Sequence, residues 1–212
     1  MNNVHCQKSK GVKLLSPLKE EQLQIIRDER REQILEVALK LFARRGLIGT
    51  KLSMIAQETR ISQGLLYHYF KSKDELFITL IEKAIQKLKE EVNHIYQLPG
   101  TPLEKLRNVA RLNEEGMPYY MLIHQVRTSD GVPEQAKELI QQYSMETYVI
   151  DQLEPLFIEG QKIGELAPGD PRKLITCYFT VLSALMTLNI QEDDAYQMPE
   201  ADLLLRIVTG RP

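Results

Sequence analysis

The stretch REQILEVALKLFARRGLIGTKLSMIAQETRISQGLLYHYFKSKDE, residues 31–75, decides the reading of this chain. Ile34, Ala38, Leu41 and Phe42 recur at helical spacing, with Leu35 beside them. Gly46 follows Arg44 and Arg45 and suits a helix C-terminus, where glycine accepts a left-handed backbone and cations complement the dipole. Two short apolar sets come next, Leu52, Ile55 and Ala56, then Leu65, Leu66 and Tyr69. Ser62 stands where an N-cap belongs, and Ser72 with Glu75 three residues on forms a capping box that opens another helix. The spacing predicts a short helix over 51–58, a turn over 59–61 and a second short helix over 62–69. Two short helices across a tight turn, resting on an amphipathic helix, describe a helix-turn-helix whose second member can enter a major groove. Leu35, Ala38, Phe42, Ile55, Ala56, Leu66 and Phe70 are the expected small core, and Tyr69 is expected to pack with them.

Outward from this segment, everything reads as helix. Residues 1–16 read as a flexible tail carrying Lys8, Lys10 and Lys13, and Ser16-Pro17 as a helix start. The charged run 17–33 either extends the following helix or forms a separate one. After Ser72 a helix runs through Leu76, Phe77, Leu80, Ile81, Ala84 and Leu88 to near Tyr96, where Pro99-Gly100 stops it. Further helices start at Pro102, Tyr119, Pro133, Pro171 and Pro199. The one from Pro133 is expected to reach about Ile163 with a kink at Pro155. No segment alternates as a strand does. The fold class is all-α: a flexible tail over 1–16, a three-helix helix-turn-helix domain over 17–75, and a larger helical domain over 76–212.

Composition narrows the function. The 212 residues carry a net charge of −2, which conceals +5 over residues 1–75 and −7 over the rest. A basic front and an acidic body suit a polyanionic partner at one end. No apolar run is long enough for a membrane span, so no membrane partner is expected, and residues 1–13 lack the apolar core of a signal peptide. Two distant cysteines, Cys6 and Cys177, offer neither a disulfide framework nor metal spacing, which fits a reducing cytoplasm. Gly-rich phosphate loops, His-Glu-x-x-His and Gly-x-Ser-x-Gly are missing from the sequence. No catalytic residue, metal or cofactor is therefore expected, and the chain does not read as an enzyme.

One resemblance is specific. Ala38-x-x-Leu41-Phe42-x-x-x-Gly46, then Ile55-Ala56, then Ile61-Ser62-x-Gly64-x-Leu66-Tyr67-x-Tyr69-Phe70-x-Ser72-Lys73-x-Glu75-Leu76 resembles the DNA-binding domain of the TetR/AcrR regulators. The resemblance implies a cytoplasmic homodimer that binds a double-stranded DNA operator and leaves it, usually as a repressor, when a small-molecule effector enters the C-terminal domain. It also implies phosphate contacts from Tyr67 and Lys73. Thr50 and Lys51 are candidates for the same role at the start of the first short helix. Base reading falls to Gln63, Leu65 and His68, with Gly64 permitting close approach. The chain departs from the family in three places: Arg60 replaces a turn glycine, Lys51 a threonine, and Leu65 a threonine, so that Leu65 suits a thymine methyl rather than a polar edge.

The rest of the chain carries weaker signals. The helix from Pro171 is apolar on more than one face, and a second subunit is the simplest cover. Leu174, Tyr178, Val181, Leu182 and Leu185, with Leu204 and Ile207 of the last helix, are the expected dimer interface. Tyr119, Tyr120, Met121, His124, Tyr143, Tyr148, Phe157 and Tyr178 are candidates for an adaptable apolar effector pocket.

Overall fold

The computed structural model describes residues 17–110, 116–143, 145–189 and 200–210. These form ten α-helices and no strand among the described residues: α1 (Pro17–Gly49), α2 (Leu52–Glu58), α3 (Gln63–Tyr69), α4 (Lys73–Ile95), α5 (Pro102–Ala110), α6 (Met117–Thr128), α7 (Glu134–Tyr143), α8 (Met145–Lys162), α9 (Pro171–Asn189) and α10 (Ala201–Thr209). The expected tail over 1–16, its lysines and the cap at Ser16 lie outside the described residues, as does Pro199.

The charged run 17–33 extends the next helix rather than forming one of its own. Leu23, Ile25 and Ile26 of this extension are exposed, and the core begins at Ile34. Gly46 breaks α1 with φ 70° and ψ 169°, a conformation that a Cβ would strain. Ser62 and Ser72 both act as N-caps. The Ser62 hydroxyl accepts from the Leu65 amide at 3.1 Å, and that of Ser72 from the Glu75 amide at 3.0 Å. The return bond of the second box is displaced by one residue: the Glu75 carboxylate accepts from the Lys71 amide at 2.6 Å.

Two apolar clusters organise the molecule. The first joins α1, α2 and α3 to Leu76–Ile85 of α4 and to Met121, Leu122, Ile123, Val126, Ala136 and Ile140 of α6 and α7. Within it Phe42 and Phe77 meet edge to face, 5.5 Å between centroids. The second gathers the end of α4 with α5, α8, α9 and α10 around Leu106, Phe157, Ile175 and Tyr178. The expected division at residue 75 is thus not a break in packing: the helix-turn-helix shares one core with α6 and α7. Leu88, Tyr120 and Tyr148 touch both clusters and mark the seam.

The helix expected from Pro133 to about Ile163 is described as α7 up to Tyr143 and α8 from Met145, with residue 144 between them outside the described residues. Pro155 lies inside α8 on an exposed position. The expected dimer face is also narrower. Tyr178, Leu182 and Leu204 are sealed in their own subunit's core at 0–4% exposure and can give a partner no area. Leu174, Val181, Leu185 and Ile207 pack on that core but stay partly open, and Leu203 is 54% exposed. A hydropathy pattern shows that several faces of α9 are apolar, not which neighbour covers each.

Candidate nucleic-acid interface

The turn between α2 and α3 is built by local hydrogen bonds. The Thr59 amide donates to the Ile55 carbonyl at 2.9 Å and the Ile61 amide to the Ala56 carbonyl at 2.9 Å. The Thr59 hydroxyl adds a bond to the Ile55 carbonyl at 2.7 Å. Arg60 takes φ 58°, the left-handed conformation that a glycine adopts without strain. The sequence departure at this position therefore leaves the turn in place and strains it.

α3 spends one face on packing and leaves the rest bare. Leu66 and Phe70 are buried and Tyr69 half-buried, so α3 is held on the first core. The Arg31 guanidinium lies 5.0 Å from the Phe70 ring centroid and covers that end. Gln63, Gly64, Leu65, Tyr67 and His68 are all exposed, Tyr67 by 50% and Leu65 by 40%. Tyr67 and Leu65 together leave the outer face of α3 open and partly apolar. Lys51 is exposed one residue before α2, and its side chain makes no capping bond.

Two expected DNA contacts are corrected. Thr50 is fully buried, its hydroxyl 2.8 Å from the Gly46 carbonyl and 3.2 Å from that of Leu41. It binds backbone left open by the α1 break rather than phosphate. Lys73 is half-buried, and its ammonium donates to the Leu47 carbonyl at 2.7 Å and the Thr50 carbonyl at 3.1 Å. Its charge sits at the C-terminal end of α1, where the helix dipole favours a cation. In this structure the Lys73 ammonium is spent on these two carbonyls rather than held out beside α3. In exchange the structure shows two cations that sequence reasoning passed over, Arg60 just before α3 and Lys71 just after it, both exposed.

The effector candidates do not converge. Phe157 and Tyr178 are filled core of the second cluster, and the Tyr178 hydroxyl donates to the Leu106 carbonyl at 3.3 Å. Burial pushes the Tyr178 phenol well above its ordinary pKa. Met121 and Tyr119 belong to the first cluster; burial, and then Glu32 and Glu36, raise the Tyr119 pKa. His124 is half-buried and Tyr143 exposed. Only Tyr120 and Tyr148 of the set lie at the seam of the two cores. The Lys89 ammonium lies 3.8 Å from the Tyr143 ring centroid and 5.9 Å from that of Tyr148, which ties α4 to α7 and α8. Among the described residues no cluster of His, Cys, Asp and Glu would hold a metal ion, and no helix is long and apolar enough to cross a membrane.

A capped short helix, set across a tight turn from a second one and bare on its outer face, has the geometry of a helix-turn-helix. Residues 34–80 match the family model described as bacterial regulatory proteins, tetR family. The HTH-type transcriptional regulator AcrR of Shigella flexneri is 37% identical over 82 residues, 38% of this chain and 38% of that protein. The chain matches less than half the length of these curated relatives, between 34% and 46%. The fold extends further than the sequence likeness. The MbdR regulator of Azoarcus sp. CIB superposes with TM-score 0.68 at 20% identity, covering 86% of this chain and 99% of that one. AibR, crystallised with isovaleryl coenzyme A and operator DNA, superposes with TM-score 0.59 at 21% identity, covering 82% and 93%.

Proposed function

We propose that the protein is a cytoplasmic homodimeric transcription regulator, without catalytic activity, that binds an operator through α3 and is released as a repressor by a small molecule. The observation that carries this reading is the exposed set Gln63, Gly64, Leu65, Tyr67 and His68 on a helix anchored by Leu66 and Phe70. Gln63 suits bidentate pairing with adenine, Leu65 a thymine methyl, and Tyr67 with Lys51 the phosphates on either side. Arg60 and Lys71 add charge at both ends of α3.

The partly open apolar residues of α9 and α10, Leu174, Val181, Leu185, Leu203 and Ile207, support pairing of two copies about a two-fold axis. Such a dimer presents two recognition helices to successive major grooves. The seam marked by Tyr120 and Tyr148 is the place we assign to an effector, because a ligand there meets both cores. Effector binding shifts the dimer between two geometries by as much as its affinities for them differ.

Selection from a random duplex library, followed by footprinting, tests the reading. The expected result is one enriched inverted repeat with two protected half-sites about one helical turn apart. No enrichment above the starting library at low salt contradicts it.

A further inference from the structure

We propose that Gln125 is a positioning residue that fixes the orientation of the helix-turn-helix on the body and thereby sets the half-site spacing the dimer accepts; this rests on the dimeric DNA-binding reading above. The argument starts from how the two parts are joined. α4 runs unbroken from Lys73 to Ile95, from the foot of the helix-turn-helix into the second core. A single helix is a hinge about its own axis, and one attachment does not fix an orientation. The second attachment is α1 against α6, where α6 buries Met121, Leu122, Ile123 and Val126. Apolar contact of this kind carries no directional bond of its own.

Gln125 makes that contact directional. Its side-chain amide donates to the Phe42 carbonyl at 2.7 Å and lies 3.4 Å from the Ala43 carbonyl. Both carbonyls belong to the last turn before Gly46, where α1 breaks and its terminal acceptors need donors from elsewhere. Thr50 serves the same break from the α1–α2 turn, and Lys73 serves its far side from α4. Only Gln125, of these three, comes from the body.

The other end of the amide is informative. The Gln125 Oε1 atom is buried and has no hydrogen-bond partner among the described residues, and a Cβ on Gly46 would stand 4.0 Å from it. An orphaned buried acceptor is costly, and a leucine or methionine of similar volume would avoid that cost. A polar residue held there at a loss to stability fits a role in registration better than one in packing.

The test uses the full-length protein and a duplex library of inverted half-sites with varied centre-to-centre spacing. Wild type is expected to enrich one spacing. Gln125→Met, which keeps the length and loses the donor, is expected to enrich neighbouring spacings too, weakening the preference for one spacing by up to about tenfold. Base preference within each half-site is expected to stay unchanged, which a merely weakened fold would not arrange. Gln125→Leu serves as the second variant. Unchanged spacing in a folded variant overturns the proposal, as does parallel change of spacing and base preference. Failure of both variants to fold also overturns it, in favour of a purely structural amide. A wild type that enriches no duplex sinks the underlying reading instead, so the two failures are distinct.

Discussion

The Lys73 ammonium lies 2.7 Å from the Leu47 carbonyl oxygen, across 26 residues of sequence. A side chain whose family counterpart suggests phosphate contact instead binds the chain to itself. The consequence is an expectation about what Lys73 does not do. Lys73→Met should lower the stability of the domain by about 1–2 kcal/mol, since two carbonyls lose a charged donor at a half-exposed site. It should leave the slope of log affinity against log salt unchanged, whereas loss of a phosphate contact reduces that slope by about one unit. Denaturant unfolding and binding titrations over a salt series measure both.

Arg60 gives a gain-of-stability prediction. Its φ of 58° strains a residue with a Cβ, and it is exposed, so no packing is lost on removing the side chain. Arg60→Gly should raise the unfolding midpoint by the equivalent of about 1 kcal/mol at constant denaturant slope. The same variant should lower affinity for duplex DNA at low salt, through loss of a cation beside α3.

Gln63 tests base reading. Gln63→Ala should relax preference by roughly 1–3 kcal/mol at one base pair of each half-site and leave the others as they were. Tyr67→Phe should weaken binding to every sequence alike, because a phosphate contact carries no base information. Competition binding against single-substitution duplexes separates the two patterns.

Tyr178 supplies the pH dependence. Its pKa is raised above the ordinary 10.0 by burial, so the folded state keeps its proton after the unfolded chain has begun to lose it. Its contribution is fully present below pH 10 and is lost as pH rises above that value. Tyr178→Phe should flatten the alkaline fall in stability, and should cost about 1 kcal/mol at neutral pH through the bond to the Leu106 carbonyl. Urea unfolding at a series of pH values between about 8 and 11 tests the sign.

The helices were legible where their causes are local. Ser62 and Ser72 cap residues three positions away, and the Gly46 break follows from one residue's backbone. α2, its turn and α3 were readable to within a residue for that reason. What the sequence withheld is non-local. Thr50 is an exposed-looking hydroxyl until the carbonyls of Leu41 and Gly46 close over it, and Lys73 is a free cation until Leu47 is folded beside it. Phe157 and Tyr178 have the chemistry of pocket walls, and only the packing of α5, α8 and α10 makes them core. Periodicity marks a face as apolar but does not say whether the cover is the same chain, a ligand or a second copy.

The central claim is that the bare face of α3 enters a major groove. Methylation interference on the selected duplex tests it most directly, because dimethyl sulfate marks guanine N7 in the major groove and adenine N3 in the minor groove. The account predicts that N7 methylation within each half-site blocks binding while N3 methylation there is tolerated. Interference confined to adenine N3, or absent from both half-sites, contradicts it.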